Sequence, residues 1–188
     1  MARYAKTKRF WARAGRFGSA ATLAFALGLG TVAAGCRTTA DDIERWSTTA
    51  NGPRKLVAVL THDKYPIDVR VEAAMALVRM KPRGGRQIGI LGTDDQPGLI
   101  AALESLPPAE REKIVSRMVP KLEEEMAKEP PKAQAGQPTP PDPTFPYKDA
   151  AFALLTSSEG ALVQSDENRK RLRGALTKWC MTNFAERL

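Results

Sequence analysis

Histidine and cysteine are scarce in this chain of 188 residues, which has one His and two Cys. A structural zinc site of the usual Cys/His kind needs four such ligands, more than this chain holds, so none is expected. A Ser-His-Asp triad would have to use His62, the one imidazole present. Aromatic residues are only 6% of the chain, and no stretch shows a sustained period-two alternation bounded by turn residues. A sheet-built fold is therefore excluded on pattern. What remains is rich in Ala, Leu, Glu, Lys and Arg, a helix-forming composition. The fold class expected is all-α, with no cofactor and no metal.

The 29 basic residues outnumber the 21 acidic ones, which on its face is a nucleic-acid signature. Their placement removes it. Residues 1–35 hold six basic groups (Arg3, Lys6, Lys8, Arg9, Arg13 and Arg16) and no acid. The remainder carries 23 basic against 21 acidic residues, so no nucleic-acid partner is expected. The early charges are followed by 19 uncharged residues, Phe17 to Gly35, which end in Val32-Ala33-Ala34-Gly35-Cys36. A basic start, an apolar stretch and small residues before a cleavage point make a secretory signal. An uncleaved membrane anchor is the alternative, because 19 residues are just enough to span a bilayer. Four Gly and several Ala, Ser and Thr make the stretch a poor permanent span.

The ending Ala33-Ala34-Gly35-Cys36 resembles the lipobox of bacterial lipoproteins. The resemblance implies that the Cys36 sulfur takes a diacylglyceryl group, that cleavage falls between Gly35 and Cys36, and that the new amine is acylated. It places the protein in the bacterial cell envelope, held to a membrane through covalent lipid. Arg37 follows the cysteine; in lipoprotein sorting an Asp there would imply inner-membrane retention, so the outer membrane is expected. With Cys36 lipidated, Cys180 has no partner within the chain, and packing alone must hold the fold.

The organisation read from punctuation is a signal peptide over 1–35, a tether over 36–41, and a helical region over 42–128. A Pro-rich linker follows over 129–147, then a C-terminal helix pair over 148–188. Asp41 and Asp42 sit in a first helical turn, where the dipole favours acids, and Asn51-Gly52-Pro53 stops that helix. Leu56, Val59 and Leu60 form one apolar stripe, and Val69, Ala73, Ala76 and Leu77 form the next, leaving Val71 and Glu72 off it. Pro97 is expected in the first turn of a helix carrying Leu99, Ile100, Leu103 and Leu106. Pro120 should kink or split the following helix, Ala109 to Lys128. Residues 130–146 hold seven of the 14 prolines and are expected to be exposed and extended. Phe152 and Leu155 mark a short helix that Gly160 stops. Ser165 should cap the last helix, with Leu172, Leu176, Trp179, Cys180 and Phe184 along one side.

The segment Pro66-Ile67-Asp68-Val69-Arg70-Val71-Glu72-Ala73-Ala74-Met75-Ala76-Leu77 resembles the second helix of a HEAT repeat, with Leu56 to Thr61 supplying the first. The resemblance covers residues 53–80; beyond them only the helix-pair rhythm continues. It implies a short α-solenoid in which Ala73, Ala76, Val69 and Leu77 pack between layers, while Asp68 and Arg70 tie neighbouring repeats together. Such arrays need about three or more units to bury their faces. A non-repeating helical bundle is the alternative.

Few residues carry chemistry. His62 and Asp63 are adjacent and do not share a helix face, which makes a helix-end role the expectation. Arg83 to Gly92 is glycine-rich but lacks the Lys-Ser/Thr of a phosphate loop. Arg169, Lys170, Arg171 and Arg173 form a basic run, a candidate contact for an anionic partner. The function expected is a lipid-anchored envelope scaffold that binds a protein partner without catalysis. A helical-repeat enzyme, or a small-ligand-binding envelope lipoprotein, is the alternative.

Overall fold

Short helices with frequent stops are what this punctuation allows, and packing must hold them together. The computed structural model describes residues 38–132, 140–157, 162–182 and 187. The signal peptide with Gly35 and Cys36, the centre of the proline stretch, Gly160 and Phe184 lie outside the described residues. Among those described there are eight α-helices: α1 (Ala40–Ser47), α2 (Gly52–Thr61), α3 (Ile67–Arg79), α4 (Ile88–Leu91), α5 (Leu99–Glu104), α6 (Pro108–Met126), α7 (Phe145–Thr156) and α8 (Asp166–Met181). Strand-like pairing among them is limited to isolated bridges, Arg83 with Arg86 and Thr93 with Gln96. The all-α class follows.

Helix starts obey local rules. Thr39 closes a capping box on α1, its hydroxyl accepting from the Asp42 amide at 3.2 Å while the Asp42 carboxylate accepts from the Thr39 amide at 3.1 Å. The Ser165 hydroxyl accepts from the Asn168 amide at 3.3 Å and caps α8.

The core is organised around α3, which packs against α1, α2, α4, α5, α6 and α7. A helix with neighbours on nearly every side buries nearly every side. Val71, Ala73, Ala74, Met75, Ala76, Leu77 and Val78 are all buried, and the three alanines among them let neighbouring backbones approach. Val71 is therefore not off the apolar stripe as the spacing indicated, being only 2% exposed. Glu72 is half-buried and accepts from the Arg79 guanidinium at 2.9 Å; that group also reaches Glu44 of α1 at 3.1 Å. One-stripe reasoning assumes a surface helix, and α3 is a central one.

The close fit is sharpest at Gly89 in α4. A Cβ there would sit 2.0 Å from the Leu77 carbonyl oxygen, which is backbone and does not yield easily. Gly89→Ala is expected to cost about 1–3 kcal/mol or more through overpacking, measured as a lower urea midpoint. An unchanged midpoint would mean α4 does not press on α3.

Other expectations also change. α6 runs unbroken through Pro120. That residue is exposed, only its own donor is lost, and buried Ile114, Val115, Met118, Val119, Leu122 and Met126 hold the helix on both sides of it. Pro97 precedes α5, whose N-cap is Gly98. Phe152 is 60% exposed. Cys180 is exposed as well, because at 3.6 residues per turn it stands about 80° round α8 from Leu172. The stretch 130–146 is not exposed throughout: Pro130, Asp142 and Thr144 are buried, and α7 already starts at Phe145.

Candidate functional site

A groove of about 790 Å³ lies between the C-terminal half of α6 and α8. Its floor is apolar, from Met126, Ala127, Ala175 and Trp179, with Gly174 among them. Its rim is charged, with Lys128, Lys170, Arg171 and Lys178 against Glu123 and Glu129. Two rim cations are already engaged. Arg171 pairs with Glu123, and that hydrogen bond raises the guanidinium pKa further. Lys128 pairs with Glu125 at 2.6 Å, which holds its ammonium above the ordinary lysine value. Lys170 and Lys178 are exposed and have no ionic partner among the described residues.

The basic run therefore divides. Arg169 turns back to the loop before α8, donating to the Val163 carbonyl at 3.2 Å and the Gln164 carbonyl at 3.0 Å, and pairs with Asp166 at 3.3 Å. Arg171 is taken by Glu123. Lys170 and Arg173 project into solvent. Two of the four residues thus serve the fold's own contacts.

A buried polar cluster closes one end of the groove. The Asp142 carboxylate accepts from the Thr144 amide at 2.9 Å and the Thr144 hydroxyl at 2.8 Å. Thr144 Oγ1 accepts from the Trp179 indole at 2.7 Å and from Arg187 at 2.8 Å. Arg187 pairs with Asp142, donates to the Lys128 carbonyl at 3.1 Å, and lies 4.7 Å from the centroid of the Trp179 ring. The Phe145 ring meets Trp179 edge-on at 5.1 Å. Sequence reasoning placed Asp142 and Thr144 in a linker. The signal that marks them is local: an Asp two residues before a Thr, then Pro146 in the first turn of a helix, is turn chemistry leading into a helix start.

A second groove, of about 670 Å³, lies between the α2–α3 turn and the N-terminal half of α6. Asp68 and Arg70 both reach α6 here. Arg70 is buried, donating through Nε to the Leu60 carbonyl at 2.8 Å and through Nη2 to Glu110 at 2.9 Å. Asp68 pairs with Arg117 at the surface. Val69 is half-buried, whereas Ala73, Ala76 and Leu77 are fully enclosed. His62 is the C-cap residue of α2, exposed, with Nδ1 3.0 Å from Asp63. No three His, Cys, Asp or Glu side chains converge as metal ligands among the described residues.

No protein-family model, curated protein or solved structure matches this chain. The functional reading rests on its own residues.

Tyr147, at the start of α7, is nearly buried, and burial pushes its phenol above the usual tyrosine value of 10.0, helped by the charge of Glu125. A raised pKa means the folded state holds the proton more firmly. The contribution to stability is full below pH 10 and is lost as pH climbs through the folded-state value. Ultraviolet difference titration should show one tyrosinate appearing above pH 10 that Tyr147→Phe removes. A normal midpoint for that phenol would place Tyr147 in water.

Proposed function

We propose that this protein is a bacterial envelope lipoprotein, anchored through Cys36, whose helical body is a HEAT-like scaffold for a protein partner. The observation that carries the reading is Ala33-Ala34-Gly35-Cys36 ending an uncharged stretch after a basic start, with a capped helical body beginning at Thr39. Among the described residues no helix is long and apolar enough to cross a membrane; in this reading the lipid on Cys36 attaches the helical body. Two acyl signals suffice for firm anchoring where one is marginal.

The solenoid reading draws on helix neighbours. α2 packs on α3 and α7 on α8, α2 lies beside α5, and α3, α6 and α8 adjoin in that order; α5 only precedes α6 along the chain. Arg70 and Asp68 bridge α3 to α6, the position that the HEAT resemblance gives to inter-repeat polar ties. α7 departs from the pattern by packing on α3 and α4 as well as α6 and α8, so the third pair is folded back. The α6–α8 groove, with its apolar floor and with Lys170 and Lys178 free of ionic partners among the described residues, is the surface offered to a partner, and Arg173 extends its charge. No second reading has an observation that favours it over this one.

Cys36→Ala decides the anchor. The variant should leave the membrane fraction or accumulate as an uncleaved precursor. The same mature mass with the same membrane retention would end the proposal.

A further inference from the structure

We infer that the α2–α3 turn, with Tyr65 at its centre, is the face this protein lays on the bilayer that anchors it, its ring and flanking side chains seated at the headgroup level. The inference rests on the lipid-anchor reading and adds to it an orientation. It begins with tether length. The capping box makes Thr39 the first residue fixed by the fold, and only Arg37 and Thr38 separate it from Cys36. The three Cα–Cα steps from Cys36 to Thr39 span at most about 11 Å even when fully extended. A body on so short a leash cannot turn freely above the membrane.

The position of Thr38 then selects the face. Its hydroxyl is 3.5 Å from the Tyr65 hydroxyl, so the chain enters the fold beside Tyr65, two residues after Cys36 in sequence. The headgroup layer on each side of the hydrocarbon is about 5–8 Å deep, which brings the turn to the interface. The residues there suit that level. Tyr65 is half-exposed, Lys64 and Pro66 are exposed, and Ile67 is half-exposed. The Lys64 ammonium lies 4.9 Å from the centroid of the Tyr65 ring. An amphipathic ring with a lysine beside it is the pairing found where one end of a group is apolar and the other wet. The turn is ordered before contact, with the Tyr65 amide donating to the His62 carbonyl at 3.3 Å.

Charge does not supply the attraction. Asp63 and Asp68 lie on this face with Lys64 and Arg117, and Asp68 is already paired with Arg117. The contact is therefore interfacial and indifferent to anionic lipid. Cys180 provides an internal comparison. It is exposed near the end of α8, a helix that packs on α6 and α7.

The test uses the full chain, processed in a bacterium and returned to phosphatidylcholine vesicles containing a lipid with a nitroxide headgroup. A fluorophore is placed on native Cys180 or, in a Cys180→Ser background, at position 64 through Lys64→Cys. Intact mass on the same samples reads whether Cys36 carries lipid. With lipid present, the label at position 64 should be quenched several-fold more than the label on Cys180, and adding phosphatidylglycerol should change neither. Equal quenching, or stronger quenching at Cys180, with lipid present overturns the orientation and leaves the anchor standing. Quenching that arises only with phosphatidylglycerol overturns the interfacial contact as described. A mature chain without lipid on Cys36 overturns the anchor and the orientation together.

Discussion

Arg187→Ala is expected to lower the unfolding free energy by roughly 3–5 kcal/mol, the range for removing one partner of a buried ion pair. The side chains of Arg187 and Asp142 are only 4% and 2% exposed, so water cannot replace the lost guanidinium. Four acceptors would lose a donor at once: the Asp142 carboxylate, the Thr144 hydroxyl, the Lys128 carbonyl and the Thr182 carbonyl. The Trp179 ring would lose the cation it faces. Arg187→Lys keeps the charge but not the planar fork, and should fall between the wild type and Ala. Asp142→Ala with Arg187→Ala should cost less than the sum of the two singles, because neither charge is then stranded. Urea unfolding of all four variants measures this. A midpoint for Arg187→Ala within error of the wild type would mean that this arginine does not close the cluster.

Val71→Asp should be of similar size, roughly 3–5 kcal/mol, since it places a carboxylate in the centre of the bundle with no partner. Ala76→Phe acts by another route. Ala76 is fully enclosed, and interiors packed at crystal-like density accommodate a benzyl group only by moving helices, at about 1–3 kcal/mol or more. Ala73→Leu belongs to the same class. Glu72→Lys removes an ion pair with the half-buried Arg79 and should cost about 1 kcal/mol or less. The order of the unfolding midpoints tests which faces of α3 are covered. A neutral Val71→Asp would return α3 to the surface helix that its spacing describes.

What was legible in the sequence is instructive at particular residues. Ser165 and the Asn51-Gly52-Pro53 break mark helix boundaries because caps and missing donors act within a few residues, whereas Thr39, read as part of the tether over 36–41, is the N-cap of α1. Leu56, Val59, Leu60, Leu99 and Leu103 fall inside as their spacing indicates. Val71 does not follow its spacing, because the number of neighbours around α3 depends on helices up to α7 that no local window contains. Asp142 and Thr144 were hidden by composition, since prolines drew attention to chain stiffness and away from two polar side chains that join α7 to α8. Arg171 reads as part of a basic run, and only the fold brings Glu123 from 48 positions away to meet it. The α6–α8 groove is a product of two helices packing, and periodicity within either one does not reveal it.

The many neighbours of α3 have a consequence for cooperativity. In an ideal linear array each unit touches only the next, so stability is a sum of local contributions and ends can fray while the middle stays folded. Here one helix shares contacts with six others, so loss of α7, of α1 or of α2 uncovers part of that same helix. Partially folded forms are then costly from every direction. Heat or urea should unfold the body in a single all-or-none transition, with helix content and Trp179 fluorescence changing together.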